Sequence, residues 1–222
     1  MIPTRALTQS RYEVAEQFAQ GIAKQSNRPL IFDIGAGPAP MKAPIEAAGA
    51  RWTGFDLAPP RSDVLQWDLE NPCPIAEKAD AAIMLDVLEH LFNPALCLRN
   101  VVDALKPGAE ILFTLPNPQY SRGRVHFLAK GTMLSFCRSD LEINHHVFVP
   151  LPHVVERLIV NSGLRLTDYF TIDFTPGWPR LSFRLPLELA ASFLAKAIER
   201  TDAQSRGFSY AVRARKPGVI SR

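Results

Sequence analysis

The sequence predicts a doubly wound α/β fold, a seven-stranded, mostly parallel sheet with helices on both faces. Three observations predict it. Short apolar runs bounded by turn residues alternate with segments of helical period, and strand–helix–strand succession demands crossover connections, which make strands parallel and cover both sheet faces. The first apolar run ends abruptly in Gly35-Ala36-Gly37-Pro38, the punctuation of a strand entering a tight turn. Finally, 222 residues at 47% hydrophobic and 21% charged suit a chain that buries enough surface to need neither disulfides nor a structural metal. Residues 1–222 are therefore expected to form a single domain.

The elements follow in order. Residues 30–34 (LIFDI) are the first strand. Residues 41–48 make a short helix, in which Pro44 is tolerable only in the first turn and Gly49 is the stop. Strands follow at 51–56 (RWTGFD), 62–67 (SDVLQW) and 80–85 (DAAIML). Leu96, Leu98, Val101, Val102 and Leu105 recur at helix spacing before Pro107-Gly108 ends the helix, and a fifth strand occupies 110–115 (EILFTL). Residues 117–143 hold few periodic elements. Leu151 to Ser162 reads as an amphipathic helix closed by Gly163, and residues 164–173 and 208–215 alternate as a sixth and a seventh strand. Insertions are expected at about 119–143 and 176–206, the second with a helix from Leu187 to Glu199.

Composition narrows the function classes. The segment MIPTRALTQSRYEVAEQFAQ carries arginine and glutamate where a secretion signal needs an unbroken apolar core, so no signal peptide is expected. No apolar stretch is long enough to span a membrane. Cys73, Cys97 and Cys137 are odd in number and widely separated, which points to free thiols in a reducing, cytoplasmic setting. Net charge is only +3, but Leu181 to Arg222 carries eight basic residues against three acids. Such asymmetry suits an anionic partner or simply a solvated outer face.

In an open parallel sheet, ligands bind beyond the carboxyl ends of the strands. Gly35 and Gly37 sit there, without a Cβ to keep a ligand off the backbone. Asp56 ends the second strand 21 residues after Gly35, the spacing at which a carboxylate accepts both hydroxyls of a ribose. The pair predicts an adenosine-type ligand. A dinucleotide fingerprint would need glycine at position 40, where the chain has Pro40, which offers no N–H to a pyrophosphate. Asp33, Asp68 and Asp86 add a ring of carboxylates that repels phosphate and favours a cationic ligand. The sulfonium and ammonium of S-adenosylmethionine fit.

The strings FDIGAGPAP, GFDLAP, DLENPCPI, DVLEHLFNP and LKPGAEILFTLPNP, in this order and spacing, resemble the successive motifs of class I S-adenosylmethionine-dependent methyltransferases. The branch most similar is the small-molecule group that includes the quinone-biosynthesis methyltransferases. The resemblance covers residues 28–118 well and 145–173 more loosely. It implies a Rossmann-like fold and S-adenosyl-L-methionine as cofactor. It also implies that Gly35 and Gly37 face the methionine part and that Asp33 reaches toward its amino group through water or backbone. Asp56 would take the ribose hydroxyls, Asp68 the adenine amine, Leu57 and Leu69 would sandwich the ring, and Asp86 and Val87 would line the site near the methionine tail. One departure stands out: the family's third glycine is replaced by Ala39, between Pro38 and Pro40.

Methyl transfer from a sulfonium is an in-line displacement, so alignment matters most and little acid–base machinery is obligatory. A hydroxyl acceptor gains from a base, and histidine suits that role near neutral pH. His90, at the end of the fourth strand, and His145 and His146, on a segment that folds over the active site in relatives, are the candidate catalytic residues. His126 and His153 complete the histidines. No metal site is expected, because adjacent histidines such as His145 and His146 rarely share an ion with Glu142 unless further ligands are in register.

The insertions should define the acceptor. Arg122, Arg124, Lys130 and Arg138 are mixed with Phe127, Leu128, Met133, Leu134 and Phe136, while Trp178, Leu181, Phe183, Leu185, Leu187, Phe193 and Leu194 accompany Arg180 and Arg184. Basic and apolar together suggest an amphiphilic anionic or lipid-like acceptor, or a membrane surface met peripherally. The same residues would equally serve a packed lid or a homodimer contact. The competing function is a non-catalytic S-adenosylmethionine-binding scaffold, hinted at by Ala39. Methylation of nucleic acid is disfavoured, since the fourth strand ends in LDVLEH and lacks an NPPY-like or DPPY-like sequence.

Overall fold

The computed structural model describes residues 5–174 and 185–218. It begins with a helix that hydrophobic periodicity alone does not announce, α1 (Arg11–Ala23), started by a capping box. The Ser10 hydroxyl accepts the Glu13 N–H at 3.4 Å, and the Ser10 N–H donates to Glu13 Oε2 at 2.7 Å, which satisfies two donors that a bare helix start leaves open. Val14, Phe18 and Ile22 then recur on one buried face.

The remaining elements are β1 (Leu30–Ile34), α2 (Lys42–Ala47), β2 (Arg51–Asp56), β3 (Val64–Gln66), β4 (Ala79–Leu85), a 3-10 turn (Leu88–His90), α3 (Pro94–Asp103) and β5 (Leu105–Pro116). Then come α4 (Ser121–Lys130), α5 (Arg138–Asn144), α6 (Pro152–Asn161), β6 (Arg165–Ile172), α7 (Leu185–Thr201), a second 3-10 turn (Ala203–Ser205) and β7 (Ser209–Arg215). The seven strands form one sheet in the order β3-β2-β1-β4-β5-β7-β6. β1 to β5 are parallel, and β7 runs antiparallel to both β5 and β6. The doubly wound, mostly parallel class predicted from the sequence is the observed one.

Every residue of β1 is buried, as a strand covered on both faces requires. Alternation splits it: Leu30, Phe32 and Ile34 join the layer with Leu98, Val101 and Val155 from α3 and α6, whereas Ile31 joins Phe18 and Ile45 from α1 and α2. Asp33 is in phase with Ile31, so it emerges on the α1 side.

Two expectations need correction. Pro107-Gly108 does not end α3, which stops at Asp103; it lies in an irregular stretch where β5 pairing jumps from Leu105 to Glu110. Residues 117–143 are not largely irregular, since α4 and α5 occupy much of them. α4 is held by tertiary polar contacts more than by an apolar stripe: Ser121 Oγ donates to Glu199 at 2.6 Å and Arg124 to Asp202 at 2.5 Å. Trp178, Arg180, Leu181, Phe183 and Arg184, and the side chains of Leu185 and Leu187, lie outside the described residues. Among the described residues no helix is long and apolar enough to cross a membrane.

Candidate active site

β1 and β4 lie side by side, but β1 is followed outward by β2 and β4 by β5, so a crevice opens beyond their carboxyl ends. Two cavities, of about 300 and 770 Å³, fill it and share Gly35, Asp86 and His90.

The smaller cavity has apolar walls from Phe55, Leu57, Trp67, Leu69 and Val87, with Asp56 and Asp68 among them. Asp56 Oδ2 accepts the Gly37 N–H at 2.9 Å and Oδ1 the Ala58 N–H at 3.0 Å, which latches the glycine turn to the end of β2. Asp68 accepts the Glu70 N–H at 3.0 Å and the Asn71 side-chain amide at 2.9 Å. Trp67 packs edge-on against Phe55, with ring centres 5.0 Å apart, and donates Nε1–H to the Asn71 carbonyl at 2.9 Å. Leu69 is a buried wall, while Leu57, 64% exposed, is a lip. A planar ring between apolar walls with hydrogen-bond acceptors at its edge suits this chemistry.

The glycine turn is explained residue by residue. A Cβ at Gly35 would sit 2.6 Å from Val87 Cγ2, so the approach of the β4 exit demands glycine there. At Gly37 (φ +51) a Cβ would meet only open space, and the left-handed backbone is what favours glycine. Ala39 is left-handed too, at φ +61. That conformation costs alanine roughly 1–2 kcal/mol, but its methyl is buried against Ala36 and Val64, a gain of roughly 0.8 kcal/mol, and glycine would itself cost roughly 0.5–1 kcal/mol. These terms nearly cancel. Ala39→Gly is therefore expected to change urea-unfolding stability by less than about 1 kcal/mol; a larger shift in either direction would show that one term has been misjudged.

The larger cavity is lined by acids: Asp33, Asp86, Glu89 and Asp173. Asp33, 3% exposed, accepts Trp52 Nε1–H at 3.1 Å. Burial above all, helped by the charge of Asp56, raises its carboxyl to about 6 despite that bond. Asp86, with left-handed backbone, accepts the Thr114 hydroxyl at 2.8 Å and is ion-paired to Arg11. Glu89 is 0% exposed, and neither carboxyl oxygen has a hydrogen-bond partner. Burial, then the Asp86 charge, pushes its pKa well above its ordinary value.

The segment after α5 is clasped to this rim. Val147 and Phe148 N–H groups donate to the Glu89 carbonyl at 2.8 and 3.0 Å. The His90 ring packs edge-on against the His146 ring, with centres 4.9 Å apart, and burial and then the His146 charge lower its pKa. His146 Nδ1 lies 2.5 Å from the Ser135 carbonyl oxygen. A carbonyl only accepts, so Nδ1 carries the proton and, in the neutral ring, Nε2 holds a lone pair.

The structure brings Asp33, Gly35, Gly37, Asp56, Leu57, Asp68, Leu69, Asp86, Val87, His90 and His146 to the two cavities. It does not bring His145, which is exposed at the left-handed end of α5 and lines neither. Glu142 is turned to Arg138. Glu89, His90 and His146 instead form the cluster whose ligand atoms all lie within 4.8 Å of one another, close enough to hold a metal ion. Sequence reasoning missed Arg11, Tyr12, Trp52, Ser135 and Asp173. For Arg11 and Tyr12 a signal existed, the S-x-x-E spacing of Ser10 and Glu13; for the others the partner is remote in sequence. Nor do Arg122, Arg124, Lys130 or Arg138 line the larger cavity.

A family model described as a methyltransferase domain matches residues 7–168. The ubiquinone biosynthesis O-methyltransferase of Hydrogenovibrio crunogenus is 26% identical over 202 aligned residues, which cover 83% of this chain and 79% of the relative. Among solved structures, an S-adenosylmethionine-dependent methyltransferase from Mesorhizobium loti matches with a TM-score of 0.56 and 16% identity, over 93% of this chain and 98% of that one. The plantazolicin methyltransferase BamL, solved with a triazolic desmethylPZN analog and SAH, matches at 0.59 and 14%, over 93% and 84%. At these identities the two structures bear on the fold, and the fold agrees.

Proposed function

Since the chain belongs to the methyltransferase-domain family and is an S-adenosylmethionine-dependent methyltransferase, we propose that it methylates a hydroxyl of a small, lipid-like acceptor. The observation that carries this reading is the junction of the two cavities at Gly35, Asp86 and His90, with the His146 ring on the wall of the larger one. The smaller cavity takes the nucleoside: Asp56 accepts the ribose hydroxyls, Asp68 the adenine amine, and Leu57, Leu69 and Val87 hold the ring. In the larger one, Asp33 and Asp86 neutralise the ammonium of the methionine part, and Arg11 turns from Asp86 toward its carboxylate. S-Adenosylmethionine supplies an electrophilic methyl on sulfur. His146 takes the acceptor's hydroxyl proton on Nε2 while Nδ1–H stays on the Ser135 carbonyl, and His90 keeps the rim and the inserted segment together.

The name of the relative from Hydrogenovibrio crunogenus supports transfer to oxygen. Leu128, Ile143 and Phe193 stay exposed, which supports a lipid-like acceptor met at a membrane surface from the cytoplasm; the three cysteines are free, as a reducing compartment requires. The scaffold alternative loses its motive, because Ala39 holds the left-handed backbone that favours glycine.

The test is incubation of the purified protein with S-adenosylmethionine and a lipid-containing cell extract. A product one methylene heavier, on oxygen, is expected by mass spectrometry; cofactor binding without such a product would overturn the reading. His146→Gln should lower kcat by roughly 10²- to 10⁴-fold with cofactor affinity kept. A second reading is favoured by the unpartnered Glu89 oxygens: a divalent ion on Glu89, His90 and His146 that polarises the hydroxyl. Dialysis against a chelator decides. Activity lost and restored by added ion supports the metal; activity retained, with a pH limb that His146→Gln removes, supports the base.

A further inference from the structure

The larger cavity is more acidic than the cofactor requires. Asp33 and Asp86 answer the ammonium of the methionine part, but Asp173 is left over. It follows β6 directly, with Phe208 and Ser209 at the start of β7 beside it on the cavity wall. The platform is stiff. Asp173 has a left-handed backbone at φ +55 whose N–H donates to the Gln9 carbonyl at 3.0 Å. The neighbouring Gly207 passes so close to β6 that a Cβ there would lie 2.3 Å from the Ile172 carbonyl oxygen.

Among the described residues that line this cavity, Arg11 is the one side chain that is always cationic; it is paired with Asp86, and in the methyl-transfer reading the cofactor's own carboxylate takes it. Two basic residues of the first insertion are turned to other partners, Arg124 to Asp202 and Arg138 to Glu142, and neither Arg122 nor Lys130 lines the cavity. Among the described residues, an anionic acceptor head would thus meet a ring of carboxyl groups with no cation beyond Arg11 to receive it. Independently, the same wall holds Glu89, fully buried with no hydrogen-bond partner within the protein for either oxygen, and donors on a ligand would satisfy them.

We infer that Asp173 selects the acceptor: it accepts a hydrogen bond from a hydroxyl or ammonium on the acceptor's polar head, and the cavity rejects a negatively charged head. The inference rests on the methyl-transfer reading and names the acceptor class that this reading leaves open. Burial, and next the charge of Asp86, raises the Asp173 carboxyl, opposed by Ser209 and Arg11. A donor or cation offered by the ligand stabilises the carboxylate, and an anion worsens the crowding.

Three probes of nearly equal shape separate the possibilities: 4-(2-aminoethyl)phenol, 4-ethylphenol and 4-hydroxyphenylacetate, a cation, a neutral molecule and an anion on one ring. Their affinities are measured by calorimetry on the full chain saturated with S-adenosylhomocysteine. The cationic and neutral probes are expected to bind at least about tenfold more tightly than the anion. In Asp173→Asn, S-adenosylhomocysteine should bind as to the wild type while the preference for the cation falls about tenfold. An anion bound as well as the cation, an undiminished preference for the cation in Asp173→Asn, or no binding of any probe would each overturn the inference. Failure of S-adenosylhomocysteine to bind the wild type would instead overturn the cofactor assignment beneath it.

Discussion

Asp56→Ala is expected to weaken S-adenosylhomocysteine binding by roughly 1.5–3 kcal/mol, the scale of hydrogen bonds to a charged group, or roughly one to two orders of magnitude in Kd. The carboxylate has two tasks in the structure. It faces the smaller cavity, and it also accepts the Gly37 and Ala58 N–H groups at 2.9 and 3.0 Å. Removing it takes away the ribose acceptor and unlatches the turn whose backbone faces the methionine part. Asp56→Asn separates the two, because its carbonyl oxygen can keep the Gly37 bond while the charge is gone. The asparagine variant should therefore fall between wild type and alanine in calorimetric titration. Unchanged affinity in the alanine variant would mean that the ribose lies elsewhere.

What could be read in advance was the part of the site that is local. A strand, the turn that ends it and the acid at the end of the next strand lie within 30–56, and the parallel sheet turns that short stretch into the wall of a crevice wherever the rest of the chain goes. What could not be read depends on contacts across long separations. Arg11 meets Asp86 because α1 packs its Val14–Phe18–Ile22 face on the sheet, and nothing near Asp86 signals that. Asp173 reaches the cavity side because β7 is antiparallel to both β5 and β6, so that β6 ends where β1 to β5 do. α4 escaped notice because polar contacts to Glu199 of α7 and to Asp202 just beyond it hold it, while Phe127 and Leu128 stay exposed. Choosing between His145 and His146 required the left-handed turn at His145, which ends α5 and leaves one ring in solvent and the next against Ser135.

The pH dependence of cofactor binding should trace to Asp33. Its carboxyl is raised from 3.8 to about 6, chiefly by burial, so the folded chain holds this proton more tightly than the unfolded chain. The sign follows: stability from this group is fully present below the unfolded value and is lost as pH rises through the folded one, between 3.8 and about 6. A shift of that size corresponds to about 3 kcal/mol. The ammonium of the methionine part reverses the preference, since a cation beside Asp33 favours the carboxylate and draws its pKa back down. Binding then releases a proton in acid, and affinity for S-adenosylhomocysteine should rise by up to about tenfold per unit between about pH 5 and pH 6, then level off. Glu89 and Asp173 are also raised, so the variant that isolates the effect is Asp33→Asn, which should flatten the profile and remove the proton release seen in buffers of different ionisation enthalpy. The same substitution should leave the unfolding free energy less dependent on pH across that window. A slope that survives in Asp33→Asn would assign the titration to another carboxyl and take Asp33 out of contact with the ammonium.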